Sequence, residues 1–199
     1  LDESTRRASF LSPRDKHASW APHDVRGVAF GAGGELWFAA PQGVGRRTGK
    51  SWTLFSGHEG LPYNDFTCAV ALSGSDAWFG THLGAVHYSN DVWEYRQGQR
   101  WLGDDDVSSV AVSTLGDAWF ATRAGITRIE SRPITFREKS AFFNAEIERF
   151  HRRTEYGYVD GIQLGTPGDK TTGTQHDSDN DGLWTSMYGA GQCFEYAVT

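Results

Sequence analysis

The sequence predicts a mainly β fold, made of repeated four-stranded units and followed by a short α-helical region. Three observations carry this expectation. The composition is rich in aromatics and turn formers, with 8 Trp, 7 Tyr, 12 Phe and 24 Gly in 199 residues, which favours many short strands packed by large side chains over a helical bundle. The chain superposes on itself, without a gap, at an offset of 41 residues, so that Trp37-Phe38 falls on Trp78-Phe79 and on Trp119-Phe120. From Arg137 onward the apolar residues take up helical spacing instead.

The same offset superposes Gly43, Gly84 and Gly125, pairs Trp52 with Trp93 and Leu61 with Leu102, and aligns Asp24-Val25 with Asp65-Phe66 and Asp106-Val107. In the first copy, residues 25–30, 35–40, 44–48 and 52–56 read as four strands. Between them lie Gly31-Ala32-Gly33-Gly34, Pro41-Gln42-Gly43 and Gly49-Lys50, which are turn chemistry. A longer connection, residues 57–64, leads to the innermost strand of the next copy. The second copy runs to about Asp105, and the third fades after Ile129, where Arg132-Pro133 replaces the expected turn. A strand-rich unit repeating every ~40 to 45 residues is the sequence sign of a β-propeller blade.

Adjacent residues on a strand face opposite sides of the sheet, so each Trp-Phe pair is expected to pack against both neighbouring blades. Propellers close with about four to eight blades, and the three blades of residues 24–136 therefore make an incomplete ring. The expectation is self-association or a second chain that completes it, or blades elsewhere in a longer protein. Residues 1–23 read as a divergent segment ending a preceding blade, because Trp20 stands 41 residues before Leu61. The start, Leu1-Asp2-Glu3, is neither Met nor a basic-then-apolar leader, which suggests that the native chain begins earlier.

The three motifs ELWFAAPQGVGRR, DAWFGTHLGAVHY and DAWFATRAGITRI together resemble the two-component-regulator propeller repeat, whose core is a Leu-Trp pair, a small residue, Thr and then Gly-Leu or Gly-Val. The resemblance covers about residues 24–131. It implies a propeller of the kind found in extracytoplasmic (periplasmic or secreted) sensor regions and in some secreted glycan-related proteins, and it implies no activity.

A formal charge of -6, from 25 acidic and 19 basic residues with no long Lys/Arg run, offers no electrostatic footprint for nucleic acid or an anionic membrane. No apolar run reaches the ~20 residues of a membrane-spanning helix, so membrane insertion is not expected. Cys68 and Cys193 share no CxxC spacing and read as isolated buried thiols.

In a four-stranded antiparallel unit, the approach to strand one and the turn between strands two and three lie at the same edge. That places Asp24, Asp65 and Asp106 on one rim with Pro41, His82 and Arg123. Repeated Asp there is explained by turn chemistry. His82 and Arg123 break the symmetry and are the ligand-binding candidates, with Asp65 and Asp106 beside them. A uronic-acid glycan would suit such a pair of bases.

Within residues 137–199, Phe143, Ile147 and Phe150 form a helical stripe, residues 156–159 read as extended, and residues 165–173 as a polar loop. A second amphipathic helix carries Leu183, Met187, Ala190, Phe194 and Ala197. The segment HDSDNDGLWT, residues 176–185, is similar to the start of the α-helical toroid domains of some secreted glycan-processing proteins. Its acidic loop, residues 177–182, places Asp177, Asp179 and Asp181 before Gly182 at a spacing that suits Ca²⁺. Tyr188 stands where an EF-hand needs a bidentate Glu, so Asp169 or a backbone carbonyl would have to complete the site. The alternative is a helix N-cap.

His176, Asp179 or Asp181 would also serve acid/base chemistry on a glycosidic bond or a uronic acid. Glu148, His151, Arg152, Glu155 and Tyr156 either share that cleft or form a solvated helix end. The sequence thus favours a propeller recognition module that binds a polar ligand, a carbohydrate or a neighbouring domain. The alternative is part of a secreted glycan-active hydrolase or lyase, and no single residue is assigned as catalytic.

Overall fold

In the computed structural model, which describes residues 8–153, 155–166, 168–176 and 178–198, the first repeat folds as an antiparallel meander of β1 (Gly27–Phe30), β2 (Leu36–Ala40), β3 (Gly43–Thr48) and β4 (Ser51–Phe55). β1 starts two residues later than the pattern predicts, because Asp24 takes a left-handed φ of 50° just before it. The second repeat gives β5 (Phe66–Ser73), β6 (Asp76–Thr81), β7 (Gly84–Ser89) and β8 (Val92–Arg96) in the same order. These sheets belong to a compact unit, Leu1–Ser131.

The third repeat departs from the expected four strands. It holds only β9 (Val107–Val112), β10 (Ala118–Thr122) and β11 (Gly125–Ile129). A fourth strand would begin near Pro133, which has no amide to give a ladder. Thr135 then starts a helix instead: its hydroxyl accepts from the Glu138 amide at 3.2 Å and the Glu138 carboxylate accepts from the Thr135 amide at 2.8 Å, a reciprocal capping box.

The repeated glycines are explained by the fourth strand. Gly43 and Gly84 have φ of 140° and 125°, and a Cβ on them would lie 2.1 Å from the Phe55 carbonyl oxygen and 2.5 Å from that of Arg96. Both carbonyls belong to the fourth strand of their own sheet. Gly125 keeps the positive φ, 119°, but a Cβ there meets nothing within 4 Å, since its sheet lacks that strand.

The Trp and Phe of each pair face opposite sides as the strand period requires. Trp37 is fully buried, stacks on Phe55 and meets Phe79 and Tyr88 of the second sheet at centroid distances of 6.0 and 5.4 Å. Its indole Nε1 donates to the Ser73 carbonyl at 3.0 Å, and Arg46 lies over the same rings while donating to the Tyr88 hydroxyl at 3.2 Å. Trp78 repeats the arrangement one sheet on, meeting Phe120 edge-on at 5.3 Å. Each Trp thus faces the following sheet and each Phe the preceding one.

Trp119 breaks the series: it is 41% exposed, where packing on both sides was expected, because among the described residues the repeat gives no further four-stranded sheet beyond it. At the other end Phe38 faces the N-terminal segment, meeting Trp20 edge-on at 6.4 Å. That segment is tied down by Asp15, whose carboxylate accepts from the amides of His17, Ala18 and Leu54 at 2.8 to 2.9 Å. Burial pushes the Asp15 pKa up, but the three amides outweigh it and hold the carboxyl below its usual range.

The second unit, Arg132–Thr199, contains α1 (Phe136–Glu146), a π-helical turn at Ile147–His151, a short ladder of β12 (Arg152–Arg153) with β13 (Tyr158–Val159), a hairpin of β14 (Ile162–Thr166) with β15 (Asp169–Gln175), and α2 (Asp181–Val198). The hairpin replaces the polar loop expected at residues 165–173. Thr-rich β15 has strand propensity, and its turn is closed by Asp169, which accepts from the Thr171 amide at 2.9 Å.

α2 is amphipathic as predicted, but polar residues on it, and not only its apolar stripe, meet the rest of the unit. Glu195 accepts from Ser140 and Asn144 of α1, and Thr185 accepts from the Val159 amide. Leu183, Met187 and Phe194 are left exposed. Cys193 is exposed on the same helix, contrary to the buried thiol expected there, whereas Cys68 is half-buried and burial pushes its pKa up.

Candidate functional site

The edge that carries the sequence candidates is assembled by contacts within each sheet and from each sheet to the next. The His82 amide donates to the Asp65 carbonyl at 3.2 Å and the Gly84 amide to the Asp105 carbonyl at 2.7 Å. Asn64 reaches back to the Pro41 carbonyl in the same way. The approach to each first strand therefore lies beside the turn between strands two and three of its own sheet and of the preceding one, as antiparallel geometry requires.

On this rim the structure brings His82, Asp106 and Arg123 together. His82 Nδ1 stands 2.8 Å from Asp106 Oδ1, and Arg123 Nη2 is 3.4 Å from Asp106 Oδ2. An ionised carboxylate only accepts, so Nδ1 carries the proton and Nε2 faces away from Asp106. The Arg123 contact is loose and its side chain is 83% exposed, the regime in which an ion pair contributes about 0 to 1 kcal/mol. The guanidinium is free to leave Asp106 for another partner.

Asp65 is placed differently. It meets Arg26 at 3.4 Å, and Arg26 is held more closely by Asp24 at 2.8 Å. The hydrogen bond from Arg26 holds the Asp24 carboxyl below its usual range. The repeated aspartates thus bind basic side chains rather than their own backbone. The turn chemistry falls to Asp104, which accepts from the Asp106 amide at 2.8 Å. With Asp24, Asp65, Asp104, Asp105 and Asp106 against Arg26 and Arg123, acids outnumber bases on this edge, which disfavours the anionic ligand that His82 and Arg123 alone suggested.

No protein-family model matches the sequence, and no curated protein matches it. Among solved structures, 18 chains match. One is the extracellular domain of BT3049 from B. thetaiotaomicron, described as a hybrid two-component system: it is 24% identical, with a TM-score of 0.43, over 52% of this chain and 15% of that one. Another is the extracellular domain of BT4673 from the same organism, described as a one-component system: it is 13% identical, with a TM-score of 0.25, over 62% of this chain and 29% of that one. The chain spans less than a third of the length of either.

In the second unit, Asp177 lies outside the described residues, and Asp179 is exposed. Among the described residues no group of three or more His, Cys, Asp and Glu side chains stands close enough to hold a metal ion. Asp181 opens α2, and the Ser178 hydroxyl accepts from the Asn180 amide at 3.0 Å in the preceding turn. His176 and His151 line one cleft together with Trp184 and Tyr188. Glu148 turns to Arg152 at 2.7 Å and accepts from the Tyr188 hydroxyl at 3.0 Å, and Tyr156 is exposed. Asp160 on the same cleft was missed by sequence reasoning, for it stands alone between Val159 and Gly161 with no motif around it.

Proposed function

We propose that the three repeat sheets are blades of an extracytoplasmic β-propeller recognition module that packs against further blades and presents its rim to a polar ligand. The observation that carries this reading is Trp119. A side chain that the first two repeats bury at 0% and 6% is 41% exposed in the third, and the two observed interfaces define what would cover it: a sheet offering a Phe at the position of Phe79 and Phe120. Such an aromatic surface marks an interaction face.

At the rim, His82 Nε2 and the loosely held Arg123 supply donor and acceptor chemistry around Asp106, and the acid excess selects a neutral polar ligand such as a carbohydrate over an anionic one. A glycan-array screen with wild type, Asp106→Ala and Arg123→Ala tests this. Loss of about tenfold or more in affinity is expected for Asp106→Ala, which orients both bases, and a smaller loss, at most about fivefold, for Arg123→Ala, since an exposed charged contact is worth about 0 to 1 kcal/mol. Binding by wild type that neither substitution changes would remove the rim. A second reading, a glycan-active enzyme, is favoured by one observation, the convergence of His151 and His176 on one cleft.

A further inference from the structure

The cleft of the second unit has a volume of about 660 Å³, within the ~300 to 1,000 Å³ of small-molecule sites. Ile147, Val159, Trp184 and Met187 form its apolar wall, and among the described residues no Lys or Arg lines it. Its polar side carries His176, Ser178 and Tyr188, and two further residues, His151 and Asp160, that clamp each other. The Asp160 amide donates to the His151 carbonyl at 3.1 Å, and His151 Nδ1 donates to the Asp160 carbonyl at 2.8 Å. A carbonyl only accepts, so Nδ1 carries the proton and Nε2 of the neutral ring is an acceptor. The π-helical turn that ends in His151 is the local device that aims it, a common use of such turns.

Asp160 is only 6% exposed. Its Oδ1 accepts from the Gly161 amide at 2.7 Å, while its Oδ2 is buried without a hydrogen-bond partner. A buried carboxylate oxygen with an unmade bond is costly, and a donor brought by a ligand relieves that cost. The Tyr188 hydroxyl is engaged by Glu148 at 3.0 Å and does not supply one.

We propose that this cleft binds a neutral pyranose sugar, whose hydroxyls donate to Asp160 and His151 Nε2 while its C–H face rests on Trp184, which is 43% exposed. A ligand here must carry several donors and an apolar face. Anions are disfavoured by the buried Asp160 carboxylate, whose unpaired oxygen asks for a donor. A small amine satisfies Asp160 but leaves most of the volume unfilled. The proposal requires neither the propeller architecture nor catalysis.

The test is titration of the whole chain with cellobiose, maltose, xylobiose, glucuronic acid and glucosamine, read by tryptophan fluorescence and saturation-transfer NMR. At least one neutral disaccharide is expected to bind. Asp160→Asn, which puts an amide donor where an acceptor stood, should weaken it about tenfold or more, and Trp184→Ala about tenfold. Lys50→Ala, at an exposed turn between β3 and β4 that belongs to neither site, should leave it unchanged, and the losses in Asp160→Asn and Trp184→Ala separate this site from the rim. Trp184→Phe, which keeps a stacking face, controls for misfolding and should retain most of the affinity. Absence of binding by every neutral disaccharide, tighter binding of glucosamine or glucuronic acid than of any of them, or equal affinity in wild type, Asp160→Asn and Trp184→Ala would each overturn the proposal.

Discussion

Trp37→Ala is expected to lower stability by about 3 to 5 kcal/mol, the range for truncating a large buried aromatic, whereas Trp119→Ala should cost at most about 1 kcal/mol in this chain. The two residues occupy equivalent positions in the repeat, so sequence alone gives them equal weight. Their surroundings differ. Trp37 is fully buried, stacks on Phe55 and gives its indole N–H to Ser73. Its loss leaves a void between two sheets, removes a face from beneath Arg46 and strands the Ser73 carbonyl. Trp119 is 41% exposed and carries Arg128 over its ring at 5.7 Å. Urea unfolding of both variants at one protein concentration checks this, and equal losses would contradict the assignment of Trp119 to an open face.

Gly43→Ala is expected to cost about 3 kcal/mol, and Gly125→Ala about 1 kcal/mol, although both glycines have the same place in the repeat. Both pay the strain of a positive φ that L side chains rarely adopt. Only at Gly43 would the new methyl also meet a backbone carbonyl, that of Phe55 at 2.1 Å, and a carbonyl in a ladder cannot turn aside as a flexible side chain can. Gly125 faces open space because its sheet has no fourth strand. Melting temperatures of the two variants should fall in that order, and a reversed order would mean that a fourth strand does cover Gly125.

The repeat made most of the β unit legible. A period of 41 residues located the sheets, the strand faces and the rim, since period-2 alternation and antiparallel direction follow from backbone geometry alone. What failed was local competition. Pro133, where the sequence already shows the third copy fading, and the Thr135–Glu138 capping box put a helix start where a fourth strand was expected, and of these two signals only the capping box went unread. At the rim, the bases His82 and Arg123 were legible because they break symmetry. Their sharing of Asp106 was not, because it depends on a contact between sheets 24 residues apart in sequence.

The second unit was less legible for a related reason. With no repeat to anchor it, the amphipathic pattern of α2 showed where its apolar stripe lies but not that Thr185 and Glu195 would also meet the unit. Asp160 carries no motif, and its importance comes from burial and an unmade hydrogen bond, neither of which spacing reveals.

The proposal that the face of Trp119 receives another blade is tested by sedimentation equilibrium of wild type and Trp119→Arg. A chain that exposes this face without its cover is expected to associate with rising concentration, and placing a charge on the face should return it to the monomer mass of about 22 kDa. Wild type that stays monomeric throughout, or association that Trp119→Arg leaves unchanged, would contradict the account.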